Sequence, residues 1–289
     1  MPIDRDADQQ QPAARSPGGD ELERALRQLR FGIRSRLSAR SLDTADLPEL
    51  FATLRRRFGT LGMTAGSVEI DDFGMDDRTL ARATPILDFL GDHVFRIETL
   101  HADALPETAL FVANRAADWP HGGLLLAHWL ARSSPGRPRP RFLCDGEFAA
   151  RPFVAPQLTR LGGVRAHPEN ALRLLRSGRS VIAFPGVAGA SPGGPSGLGS
   201  FGRGGLLRTA AKASVPIVAV GMVGPESLVP QPGASGWGLP TPWVIAFGEP
   251  LHCSPDAAGD ELWLARSTES LRRQVGEKVD EARARALRR

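Results

Sequence analysis

Five short β-prone runs, ALFVAN (109–114), RPRFLCD (139–145), SVIAFPG (180–186), PIVAVGMVG (216–224) and WVIAFGEPL (243–251), alternate with stretches patterned for helices. Runs this apolar are strands buried on both faces, and a helix between two of them is the connection that parallel neighbours require. The intervening segments fit: GGLLLAHWLARS, FVAPQLTRLGG, ENALRLLRSG and GLLRTAAKASV read as helices, and a last helix carries the stripe Leu264, Leu271, Val275, Val279 and Ala282. The pattern predicts an α/β fold with a mixed, largely parallel sheet flanked by helices. One further strand is expected at Val94–Thr99, where residues alternate after the acid-rich helix start DDFGMDD.

The chain of 289 residues is long enough for one α/β core with an extension. Residues 1–20, rich in acids and glutamines, read as a disordered tail without the apolar run of a signal peptide. Residues 21–92 read as an N-terminal helical extension: Leu22, Leu26, Leu29, Ile33 and Leu37 share a helix face among arginines, and a second helix is expected from Leu47 to Phe58. The first of these could lie on an anionic membrane or pack on its own domain. Residues 93–289 are then the α/β domain, ending in the last helix.

The net charge is +4, and its cations are almost all arginine, with Lys212 and Lys278 the only lysines. Guanidinium forks bind phosphate bidentately, so the charge suits an anionic substrate or membrane surface. No zinc-ligand spacing and no nucleic-acid-binding pattern accompanies it, so nucleic acid, metal and cofactor are not expected. Cys144 and Cys253 stand far apart and read as buried free thiols of a reducing cytoplasm. The longest apolar runs are about half the roughly 20 residues that span a bilayer, so membrane contact is expected to be peripheral, on the inner face of the cell membrane.

The glycine-rich stretch 186–205, GVAGASPGGPSGLGSFGRGG, offers two motifs that fail on chemistry. Gly197, Gly199 and Gly202 form a GxGxxG, but about a dozen residues past the nearest strand rather than at its turn into a helix. GASPG around Ser191 would be a nucleophile elbow, yet the next residue, whose N–H should line the oxyanion hole, is Pro192. What survives is a glycine-rich helix entry at Gly202–Gly205 offering N–H groups to an anion, with Arg203 and Arg208 adding charge, or else a surface loop.

The stretch VANRAADWPHGG (112–123) carries the residue types of an active-site entrance. In order, FVANRAADWPHGGLLL, LGGVRAHPENALRLLRSGRSVIAFPGVAG, FGRGGLLRTAAKASVPIVAVGMVG and FGEPL resemble the successive blocks of the lysophospholipid and glycerol-phosphate acyltransferase superfamily, and the lead-in from Asp71 resembles a bacterial branch of it. The resemblance implies a groove for an acyl thioester donor, acyl-CoA or acyl-carrier-protein, and for a lysophospholipid or glycerol-phosphate acceptor. In that chemistry a histidine takes the acceptor's proton and an aspartate orients the histidine. Where the branch reads VANH…PWDG, this chain has Asn114, then Arg115 in the histidine position, Pro120, and Gly122 in the aspartate position.

Arginine stays protonated and cannot act as a base. The resemblance therefore implies a binding protein with weak or no acyl transfer, whose substrate-binding residues would be Asn114, Arg115, Arg165, Gly186, Arg203 and Arg208. An active enzyme using Asp118 and His121 as a displaced catalytic dyad is a second reading, and an interaction protein without a lipid ligand is a third. His121 in a packing role is the alternative to the dyad, and His128, on the following helix, is expected at the core or its rim.

Overall fold

The computed structural model describes residues 70–115, 121–145, 154–186, 198, 200–224 and 243–288. The expected tail at 1–20 and the helices within 21–58 lie outside them. The compact unit that holds the sheet is Thr60–Arg289.

In chain order the described elements are α1 (Asp77–Phe89), a π-helical turn (Leu90–Val94), β1 (Glu98–Leu100), β2 (Leu110–Ala113), α2 (His121–Ser133), β3 (Arg141–Cys144), α3 (Ala155–Arg160) and β4 (Gly163–Arg165). There follow α4 (Pro168–Arg176), β5 (Val181–Ala183), α5 (Gly205–Ala213), β6 (Ile217–Val223), β7 (Val244–Phe247), a 3₁₀ turn (Pro255–Gly259) and α6 (Glu261–Ala286). The strands form one sheet in the order β1-β7-β6-β2-β5-β3-β4. β6, β2, β5, β3 and β4 run parallel, whereas β7 is antiparallel to β6 and carries β1 parallel to itself. The mixed, largely parallel sheet is the one the apolar runs predict.

Alternation along β2 divides its side chains between two helical layers. Phe111 and Ala113 pack with Leu87 of α1, Leu124–Leu130 of α2 and Leu158 of α3. Leu110 and Val112 pack with Leu174 of α4, Leu207 and Ala211 of α5, and Leu264, Leu271, Val275 and Val279 of α6. All four β2 residues are buried, as a strand covered on both faces must be.

Two elements depart from the sequence pattern. The run Val94–Thr99 is not one strand: the π-helical turn extends to Val94, Arg96 adopts a left-handed backbone (φ 44°), and pairing begins only at Glu98. β4 escapes the pattern because its three residues, Gly-Val-Arg, include only one large apolar side chain, and the sheet edge recruits them through pairing with β3. The acids before α1 do what acids at a helix start do: Asp76 caps the helix, accepting from the Arg78 and Thr79 N–H groups at 2.9 and 3.3 Å. The hydroxyl of Thr79 also donates to Asp76 and, as the largest influence, holds its carboxyl below the usual range.

Layer spacing is set at glycines. A Cβ on Gly221 of β6 would lie 2.1 to 2.3 Å from the backbone of Lys278 and Val279, so α6 rests on the bare backbone of the strand. Gly221→Ala must push a helix off the sheet and is expected to destabilise by about 3 kcal/mol or more. Gly259→Ala, where a Cβ would meet nothing within 4 Å, should stay within about 0.5 kcal/mol. Urea denaturation of the two variants checks the pair.

Candidate functional site

In an open parallel sheet, ligands bind beyond the carboxyl ends of strands, where adjacent strands send the chain to opposite faces. β5 marks that place here. Its neighbours β2 and β3 lead into α2 and α3, both packed on one face, while the chain after β5 next takes up α5 on the other. The place that the strand order marks for a ligand is therefore over the end of β5, between the last residues of β2 and β3.

Asn114 and Arg115 follow the last residue of β2. The Asn114 side chain is buried and continues the sheet: its Nδ2 donates to the Met222 carbonyl at 2.8 Å, and its Oδ1 accepts from the Met222 N–H at 2.6 Å. A primary amide has one donor and one acceptor edge, so it substitutes for a peptide unit at the point where the β2–β6 ladder ends. That clamp fixes the backbone from which Arg115 projects. The Arg115 guanidinium donates through Nη2 to Oδ2 of Asp145, the residue after β3, and both side chains are about a quarter exposed. Asp145 is itself placed by the β3–β4 edge, where the Cys144 carbonyl accepts from the Ala166 N–H at 2.6 Å.

Gly186, at φ 133°, lies three residues past β5, and Asn114 and Arg115 directly follow the neighbouring β2. Arg165 closes β4, farther toward the sheet edge, and is exposed, its carbonyl accepting from Asn170 at 3.0 Å. Arg203 lines a groove of about 580 Å³ between the entry to α5 and the start of α6, with Phe201, Glu261, Thr268, Glu269 and Arg272. Arg208 is engaged within the fold: Nε donates to the Ala258 carbonyl at 3.1 Å and Nη2 to Glu261 at 2.5 Å. Asp118 lies outside the described residues. His121 is the first residue of α2, and the description does not extend to its side chain.

The position that would carry the aspartate has an apolar outlook. A Cβ on Gly122 would sit 3.4 Å from the Trp243 ring and 3.7 Å from the Met222 methyl. Next to it, a Cβ on Gly123 would meet Phe142 at 3.0 Å, which is why α2 can start so close to β3. Two residues near these positions are not marked by the sequence pattern: Asp145, which pairs with Arg115, and Trp243, which faces Gly122. The signal for Asp145 was its place directly after a strand. Trp243 is buried in the core beside α2, its indole Nε1 lacking a partner among the described residues.

Two groups read as packing residues are buried. Cys144 and Cys253 are free thiols, and burial pushes the Cys144 thiol up to about 12, which keeps it unreactive. His128 is buried on α2, with Nε2 2.8 Å from Asp88 and Nδ1 3.2 Å from an Arg139 donor. A neutral imidazole protonated at Nε2 satisfies both partners. Burial holds its pKa below the ordinary value, against the pull of Asp88.

No family model matches the chain. It is 29% identical over 284 aligned positions to an uncharacterized protein of Mycobacterium tuberculosis and to one of Mycobacterium bovis, with 84% of this chain and 75% of each relative covered. An uncharacterized protein of Mycobacterium leprae is 30% identical over 233 positions, 68% of this chain and 62% of the relative. Among solved structures, the chain is similar to the 1-acyl-sn-glycerophosphate acyltransferase PlsC of Thermotoga maritima, at 22% identity and a TM-score of 0.48, over 72% of this chain and 82% of that one.

Asn114→Ala leaves the buried N–H and C=O of Met222 unsatisfied and is expected to destabilise by about 3 kcal/mol in urea denaturation. The His128 effect has a definite sign. Its folded pKa lies below the unfolded value, so the unfolded chain binds more protons between the two, and stability present above about pH 6.5 declines as pH falls toward the folded value. His128→Asn should flatten that part of the stability profile between pH 7 and 5.

Proposed function

We propose that the crevice over β5 binds the anionic head of a lipid-like ligand or acyl thioester on a glycerolipid acyltransferase-like scaffold, with weak or no acyl transfer. The observation that carries this reading is Arg115: at the carboxyl end of the central strand, where the resembling motif has its histidine, stands a guanidinium paired with Asp145. A permanently charged donor at a strand end suits anion binding and cannot accept a proton. The ordered blocks from Asp71 to Leu251 support the same scaffold, with Arg115 and Gly122 replacing the two residues on which base catalysis depends.

The missing base sets the scale of the deficit. General-base catalysis contributes about 10²- to 10⁴-fold, so positioning alone leaves a correspondingly small residual rate. The proposed ligands are a lysophospholipid or glycerol-phosphate-like acceptor and an acyl-CoA or acyl-carrier-protein donor, with no metal or other cofactor. Among the described residues no helix is long and apolar enough to cross a membrane. The proposed location is cytoplasmic, with lipid reached from the inner membrane surface.

Acyl transfer from an acyl-CoA to lysophosphatidate by the purified chain tests the reading, with His121→Ala and Arg115→His alongside. Expected is a rate at least about 10²-fold below the common range of roughly 1 to 10³ s⁻¹ and insensitive to His121→Ala. Ordinary turnover abolished by His121→Ala would restore the displaced dyad and overturn the proposal. Binding is read separately by thermal denaturation: a ligand at 100 times its Kd adds about 2.7 kcal/mol of stability, and no shift with lysolipid or acyl-CoA would favour a protein without a lipid ligand.

A further inference from the structure

His128 stands apart from the residues beyond β2 and β3, and its ring joins three segments of the fold. The side chain is 7% exposed, with Nε2 2.8 Å from Oδ1 of Asp88 near the end of α1 and Nδ1 3.2 Å from Nη2 of Arg139, two residues before β3. Arg132, one turn along α2, donates to the same Asp88 oxygen at 3.2 Å and pairs with Asp92 of the π-helical turn. Among the described residues, the charged groups that act on the ring are thus Asp88, Arg132 and Arg139.

Arg139 is held conditionally. Its Nε is buried without a partner, and the His128 ring is its one hydrogen-bond acceptor among the described residues. Asp77 and Asp88 attract the guanidinium through space without bonding to it. A guanidinium removed from water is ordinarily met by a carboxylate, which remains an acceptor at neutral and mildly acid pH. An imidazole nitrogen is an acceptor only while it carries no proton.

We propose that His128 is a proton-driven partner switch: neutral, it joins Asp88 and Arg139; protonated, it keeps Asp88 and expels Arg139. With both ring nitrogens donating, the Nδ1–H points at an Arg139 N–H, and two like charges would share a site closed to water. The bond from Nε2 to Asp88 has no such conflict and gains charge assistance from the added proton. Acid therefore strengthens the tie of α2 to α1 while freeing the segment that leads into β3, and it turns the Arg139 guanidinium out into water. The step adds one proton from solvent to Nδ1 and breaks one hydrogen bond. Burial, joined by Arg139 and Arg132, disfavours the charged ring against the pull of Asp88, so the change belongs below about pH 6.5.

Nuclear magnetic resonance of the isotope-labelled full chain, titrated from pH 8 to 5, reads the ring and the guanidinium separately. At pH 8 the ring of His128 should carry its proton on Nε2. As pH falls, the His128 ring and the Arg139 Cζ and Nε signals should shift together with one midpoint, each assigned by its loss in His128→Gln or Arg139→Met. Arg139→Met should raise the His128 midpoint, because it removes both an opposing cation and a donor to the neutral ring. Arg139→Gln, which keeps a donor, should raise it less, and Asp88→Asn should lower it.

A histidine that only fills space predicts no response from Arg139. A ring protonated on Nδ1 at pH 8, Arg139 signals unmoved through the titration of the ring, or a midpoint unchanged in both Arg139 variants would overturn the switch. So would a ring that stays neutral until the chain unfolds. The wild-type titration decides the matter alone where a variant does not fold.

Discussion

The pairing of β2 between β5 and β6 is the constraint on which the molecule depends. Its four residues pair with β6, three of them also with β5, and all are covered on both faces, so β2 can be neither shifted nor turned without exposing apolar surface to water or leaving backbone groups unsatisfied. A parallel strand in this position must receive its neighbours through long crossovers, and the flanking helices supply them. The Asn114 amide extends the same pairing by one peptide's worth of hydrogen bonds. The site begins where the ladder ends, on a backbone with little freedom.

Close approach governs the layers around that strand. α6 can lie against β6 because Gly221 has no side chain, and α2 can start against β3 because Gly123 has none. These contacts set the depths at which the helices rest on the sheet. The position that the resembling motif reserves for an aspartate is turned toward Trp243 and Met222. Arg115 instead finds its countercharge across the sheet, in Asp145. The pair brings a guanidinium and a carboxylate together beyond the ends of β2 and β3.

Much of the architecture was legible along the chain because strands covered on both faces are written as uninterrupted apolar runs, and ALFVAN, SVIAFPG and PIVAVGMVG each contain the strand they announce. β4 was not legible, since an edge strand of three residues with one large apolar side chain is held by its partner's backbone rather than by its own pattern. The Val94–Thr99 run misled for the opposite reason: its alternation is genuine, but its first residue completes a π-helical turn and Arg96 breaks the extended backbone. Of the proposed binding residues, Asn114, Arg115 and Gly186 came from the motif resemblance, and they lie within three residues of the ends of β2 and β5. Arg208 carried the same residue type, but its charge is directed to Glu261 and the Ala258 carbonyl, a commitment that only packing between α5 and the start of α6 creates.

The sequence by itself determined the α/β layering and the order of its elements, because burial periodicity is a local property. Tertiary structure alone decided that β5 inserts between β2 and β3, and therefore that residues 115 and 145 meet above its end. Strand order is a choice among pairings of similar local strength, settled by which crossovers let every apolar face find cover, and no short stretch of sequence carries that information.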